Sequence, residues 1–163
     1  MNTIAEYMTE TFDVQSDIAC LPLVEERLFC FCDEYNLVDA FPIVSTATLH
    51  AVENAIVNRN CCNAQKRVHL YIGTWGKGIF VEVADDGDET HDNTSQIDWQ
   101  SDKMLGSEIF LMHSLADRVI YLDEGRTVRL EFVIGGIDTT LSLTRTSVLN
   151  TWLSHINQRQ PVA

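Results

Sequence analysis

Basic residues are scarce in this chain: 163 residues carry 11 Lys+Arg against 24 Asp+Glu, a formal net charge of −13. Such an excess of negative charge repels a phosphate backbone, which excludes a nucleic-acid binder working through a basic surface. Long apolar runs are missing too. No stretch reaches the roughly 18 apolar residues of a membrane-crossing helix. Met1 to Glu10 carries two acids and no base, unlike a secretory leader. Proline occurs three times and glycine eight times. No Pro/Gly/Ser-rich linker, repeat or low-complexity run marks a boundary between domains. The five cysteines are odd in number and fall as Cys20, Cys30-Phe31-Cys32 and Cys61-Cys62. That is not the even framework of a small secreted domain, and it offers no C-x-x-C pair for zinc. The expectation is a single domain over residues 1–163 in a reducing cytoplasm.

With 45% hydrophobic residues, a chain of this length buries a core without disulfide or metal staples. Thr11 to Asp17 reads as a short strand. Val24, Leu28, Phe31 and Tyr35 recur at i, i+4, i+7 and i+11, predicting an amphipathic helix that closes before Pro42. A second helix is expected from Ser45 or Thr46, whose hydroxyls can cap it, to about Asn60, with Leu49, Val52 and Ile56 as its buried stripe. Val68, Leu70 and Ile72, then Ile79, Val81 and Val83, alternate around Gly76-Lys77-Gly78 and predict a β-hairpin. Asp85 to Lys103, with seven acids, reads as a long loop.

Gly106 then opens a third helix with Ile109, Met112, Ala116 and Val119 on one face. Strands are expected at Val119 to Leu122, Thr127 to Val133 and Thr139 to Thr144, and a closing helix at Ser147 to Gln158 with Leu149, Trp152, Leu153 and Ile156 packed. Helices in runs between hairpins predict an α+β two-layer sandwich: a mixed, mostly antiparallel sheet with helices on one face.

The second helix has a polar face of its own. At about 100° per residue, Ala47, Ala51, Asn54 and Asn58 fall within about 60° of one another, opposite Leu49, Val52 and Ile56. Small neighbours admit a ligand close to the helix, and amide oxygens are hard donors suited to Mg²⁺ beside phosphates. A solvated face with two asparagines is the plainer alternative. The order of pieces adds weight: this helix, then a strand ending Asp85-Asp86-Gly87, a long polar loop, and Leu105-Gly106 before a helix and two strands.

Glu53-Asn54-Ala55-Ile56-Val57-Asn58, Asp85-Asp86-Gly87 and Gly106 with Ile109-Phe110-Leu111-Met112 resemble the three sequence boxes of the histidine-kinase-like ATPases, the Bergerat fold. With Ser114 to Val119 following, the chain is similar to the stand-alone anti-sigma factor serine kinases over about residues 10–134, and 135–163 is an extension. The resemblance implies ATP and Mg²⁺ as ligands. Asn58 would hold the metal, Asp85 the adenine amino group, Gly87 would lie under the base, and Gly106 would present helix N–H groups to the phosphates. Asn54 and Lys103 would complete the nucleotide site, with 87–106 as a lid. The implied partners are a sigma factor and a STAS-type anti-sigma-factor antagonist.

Where such kinases carry a general-base glutamate, this chain has Asn54, and an amide cannot take a proton. Glu89 and Glu108 stand where the glycine boxes have a second glycine, and a carboxylate in the first turn of that helix opposes a phosphate. A binding module with weak or no nucleotide binding is therefore the alternative on the same scaffold. The extension 135–163 has two roles open to it, packing on the sheet edge or a homodimer contact.

Other candidates are weaker. Thiols of a Cys-x-Cys on a helix point about 200° apart, so the cysteines read as buried or incidental rather than as a metal cluster. His113 and His155 have no nucleophile at a recognisable spacing, and Trp99 lies within the lid segment.

Overall fold

The alternating segments become five strands: β1 (Thr9–Gln15), β2 (Arg67–Trp75), β3 (Gly78–Asp85), β4 (Arg118–Leu122) and β5 (Thr127–Val133). They belong to a computed structural model that describes residues 9–87, 108–134 and 147–155. The sheet order is β1-β2-β3-β5-β4. Each pairing among the described strands is antiparallel, so the expected mixed sheet is corrected to an antiparallel one. The reason is the turn after β4. It sends β5 between β3 and β4, so β3 and β4, which run the same way, never become neighbours.

Register separates the faces. Val68, Leu70 and Ile72 stand opposite Asp85, Val83 and Val81, and Val81 stands opposite Leu130; all of these point to the helix side and are buried. The other face carries Asp13 opposite His69, Tyr71 opposite Glu82, and Glu82 opposite Arg129. Arg129 spans Glu82 and Glu131, each at 2.9 Å, and its guanidinium lies 3.9 Å from the Phe80 ring centroid. At the hairpin end a Cβ on Gly78 would lie 1.8 Å from the Phe132 carbonyl oxygen, so the close approach of β3 to β5 requires glycine there.

Helix α1 (Leu21–Glu34) buries Val24, Leu28 and Phe31 as its spacing predicts, with Cys32 beside them. Helix α2 (Phe41–Asn54) begins earlier than expected, with Pro42 inside its first turn. There the missing N–H costs nothing and the fixed φ suits the helix. The Ser45 and Thr46 hydroxyls therefore do not cap the helix; both donate to the Pro42 carbonyl, at 3.3 and 2.7 Å.

The α-helix also ends earlier, at Asn54, and the next five residues, Ala55–Arg59, form a π-helical turn. Val52 and Ile56 are core, while Leu49 is half-buried against it. Ala47 and Ala51, expected on an open ligand-facing strip, are buried in the same cluster as Met112 and Ala116. Their smallness serves helix packing: α3 (Glu108–Leu115) lies against α2. A last helix, α4, covers residues 147–155. Leu149, Trp152 and Leu153 were expected to be packed, but they are 53%, 57% and 43% exposed. The expected strand at 139–144 and Ile156 lie outside the described residues.

Candidate functional site

The end of α2 and the end of β3 meet at one corner of the domain. Asn58 lies within the π turn, one residue before Arg59, and the Arg59 Nε donates to Asp85 Oδ2 at 3.1 Å. Asp85 closes β3 on its helix-facing side, and its carboxylate is almost wholly buried. Its other oxygen accepts the Gly87 N–H at 2.8 Å, and its own N–H donates to the Arg126 carbonyl at 2.9 Å. Gly87 is needed where it stands: a Cβ there would lie 2.8 Å from Asp85 Oδ1 and 2.9 Å from the Arg59 carbonyl oxygen. Two motifs 26 residues apart are thus locked together by one ion pair and one glycine.

Asn54 and Asn58 also come together. The Asn58 NH₂ donates to Asn54 Oδ1 at 2.7 Å, which leaves Asn58 Oδ1 as the oxygen outside this bond. That is a neutral hard donor of the kind a Mg²⁺ ion accepts alongside phosphate oxygens and water. π turns concentrate at functional sites because the extra residue shifts the side chains that follow it. Beside Asp85 lies a cavity of about 470 Å³ lined by Asp85, Asp123, Glu124, Arg126 and Thr127. Its size is that of a small-molecule site, roughly 300–1,000 Å³. Asp123 and Glu124 line it, and with Gly125 they form three successive left-handed residues, φ 51°, 58° and 87°. A carboxylate accepts about four hydrogen bonds. Among the described residues the donors to Asp85 are the Arg59 Nε and the Gly87 N–H, and as an acceptor it has the polarity to receive an amino group.

The next residue, Asp86, is held separately. Its N–H donates to Asn60 Oδ1 at 3.0 Å, its Oδ2 accepts the Arg67 N–H at 2.8 Å, and its Oδ1 meets His69 Nε2 at 3.0 Å. The Arg67 N–H, aided by His69, holds the Asp86 carboxyl below the usual aspartate range. Asn60 is fully buried and donates its Nδ2 to the Arg67 carbonyl at 3.0 Å, so one side chain brackets β2 and the Asp85-Asp86-Gly87 turn.

Of the residues expected at the site, Asn54, Asn58, Asp85 and Gly87 lie in the described structure; Lys103 and Gly106 lie outside the described residues, as do Glu89 and Trp99. His113 is half-buried and bonded to the Tyr121 hydroxyl at 3.0 Å; burial lowers its pKa and pushes Tyr121 up to about 12. His155 is exposed on α4. Cys30 is exposed and Cys32 buried, with its thiol pushed by burial to about 11.

Arg59, Asn60 and His69 were missed by sequence reasoning. For Arg59 a signal existed, a cation directly after Asn58 with a buried-strand aspartate as the obvious counter-charge; for Asn60 and His69 periodicity offers none. No protein-family profile matches the chain, and no curated protein matches it.

Proposed function

We propose that this chain is an ATP-binding regulatory domain of the histidine-kinase-like, Bergerat type. It resembles the anti-sigma factor serine kinases and acts in partner-switching control of transcription with a sigma factor and a STAS-type antagonist. The observation that carries this reading is the meeting of the Asn58 turn with the Asp85-Gly87 turn through the 3.1 Å Arg59–Asp85 pair, beside a cavity of ligand size. By the resemblance, Asn58 holds Mg²⁺ and Asp85 the adenine, while Lys103 and Gly106 serve the phosphate end. Bound Mg-ATP would supply the phosphoryl group and the metal charge. The chain's own residues bind and orient, and Asn54, already accepting from Asn58, provides no base.

A second reading has one specific observation in its favour. Arg59 places the chain's own N–H donor on the carboxylate that the resemblance assigns to adenine, which favours a partner-binding module with weak or no nucleotide binding. Calorimetric titration with Mg-ATP and Mg-ADP, with Asp85→Asn and Asn58→Ala as controls, decides between them. Micromolar binding lost in both folded variants supports the first reading. No heat and no thermal stabilisation at millimolar nucleotide establishes the second.

A further inference from the structure

Cys61 and Cys62 occupy a backbone that cysteine rarely adopts. Both have positive φ, 53° and 54°, and the Asn63 N–H donates to the Asn60 carbonyl at 3.0 Å. Positive φ at both central residues with an i to i+3 hydrogen bond is the type I′ turn, a place for Asn and Gly. The turn is fixed from below as well: the Asn60 N–H donates to the Ala55 carbonyl and the Cys62 N–H to the Ile56 carbonyl, each at 2.8 Å. Strained backbone held by its surroundings is a mark of a functional position. Here it falls on two adjacent thiols, both exposed.

We infer that Cys61 and Cys62 form a vicinal dithiol site for a trivalent arsenical, a thiophilic centre that takes two sulfur ligands. Neighbouring Cα atoms across a trans peptide are about 3.8 Å apart, shorter than the roughly 4.4–6.8 Å that disulfides use. The pair therefore resists closing on itself and stays available as two thiols. Structural zinc needs four ligands, and a linear two-coordinate ion needs its sulfurs on opposite sides. A pyramidal trivalent arsenic accepts the bent bite of adjacent residues. Capture is redox-neutral. With phenylarsine oxide two As–S bonds replace the bonding to oxygen, the oxygen takes both thiol protons and leaves as one water, and arsenic stays trivalent.

The position gives the site a readout. Asn60, the first residue of the turn, is the buried bracket that accepts the Asp86 N–H. Closing a ring across Cys61 and Cys62 constrains that bracket and hence the Asp85-Asp86-Gly87 turn, whether or not a nucleotide binds there.

The test titrates the reduced full-length chain with phenylarsine oxide, followed by intact mass and by amide exchange. The expected result is one arsenic per chain that survives excess monothiol, is removed by dithiothreitol, and alters exchange at the Asp86 and Gly87 amides. It is lost in Cys61→Ser and in Cys62→Ser and kept in Cys30→Ser. Cys61→Asn, whose side chain suits the left-handed φ, loses it too, which separates lost capture from lost folding. An adduct that persists in either single variant or disappears in Cys30→Ser overturns the site; an adduct that leaves Asp86 exchange unchanged overturns the link to the turn.

Discussion

His69 stands between Asp13 and Asp86, with Nδ1 2.7 Å from Asp13 Oδ1 and Nε2 3.0 Å from Asp86 Oδ1. A neutral imidazole has one N–H and would turn a lone pair on one carboxylate, so this arrangement favours the imidazolium. It ties edge strand β1 to the turn that carries Asp85.

That arrangement sets a pH dependence. The hydrogen bond His69 makes to Asp13, then that to Asp86, raises its pKa against the opposing effect of burial, while Asp86 is lowered. Lys66 is the further charge acting on Asp86. A raised histidine contributes stability that is fully present below its unfolded value of about 6.5 and lost as pH rises through the folded value. A lowered aspartate contributes stability present above about 3.9 and lost as pH falls through its folded value. The clamp is strongest between roughly pH 4 and 6.5. Denaturation midpoints of the wild type are expected to fall relative to His69→Gln as pH rises above about 6.5; parallel curves would show that the ring is not held as an imidazolium.

The two cysteines of the type I′ turn predict a stabilising pair of substitutions. Left-handed backbone costs roughly 1–2 kcal/mol per residue with an ordinary side chain, less with asparagine and nothing with glycine. Cys61→Asn with Cys62→Gly is expected to raise stability by about 1 kcal/mol, a Tm gain of roughly 2–4 °C. Thermal unfolding checks it, and a lowered Tm would mean the thiols make contacts that offset the strain.

Gly87→Ala probes the corner where the two motifs meet. The new methyl would need space held by the Arg59 carbonyl oxygen and Asp85 Oδ1, 2.9 and 2.8 Å from its position, and the first is backbone. The expected outcome is a loss of about 2 kcal/mol with the sheet intact. Faster amide exchange is expected at Gly87, whose N–H bonds Asp85. A variant with wild-type stability would show that the corner opens freely.

Much of the sheet was legible in the residues because strand alternation has a fixed period of two. Thr127 to Val133 and the hairpin around Gly76-Lys77 were readable that way. What escaped was set by tertiary contact. Alanine is neutral to both environments, so Ala47 and Ala51 looked like a ligand strip until α3 covered them. The π turn at Ala55–Arg59 follows from how the helix end meets β3, which no periodicity in α2 encodes. Asn54, Asn58, Asp85 and Gly87 were singled out by motif order, whereas the Asn60 bracket depends on hydrogen bonds to residues 7 and 26 positions away.

The Arg59–Asp85 pair carries the last prediction. Both side chains are largely withdrawn from water, at 13% and 4% exposure. Taking one partner from such a pair leaves a buried charge without its counter-ion, which costs about 3–5 kcal/mol, while replacing both by neutral groups of similar size costs far less. Arg59→Met is therefore expected to lose about 3 kcal/mol, and Arg59→Met with Asp85→Asn to recover more than half of that. Urea denaturation of the four proteins in the cycle measures the coupling directly. The same single variant bears on the site, because it removes the internal donor from Asp85 Oδ2. If Arg59 competes with a ligand amino group, Arg59→Met binds Mg-ATP more tightly than wild type despite its lower stability. If Arg59 instead holds Asp85 in position for the ligand, affinity falls together with stability. Those opposite signs separate a pocket closed by its own arginine from one assembled by it.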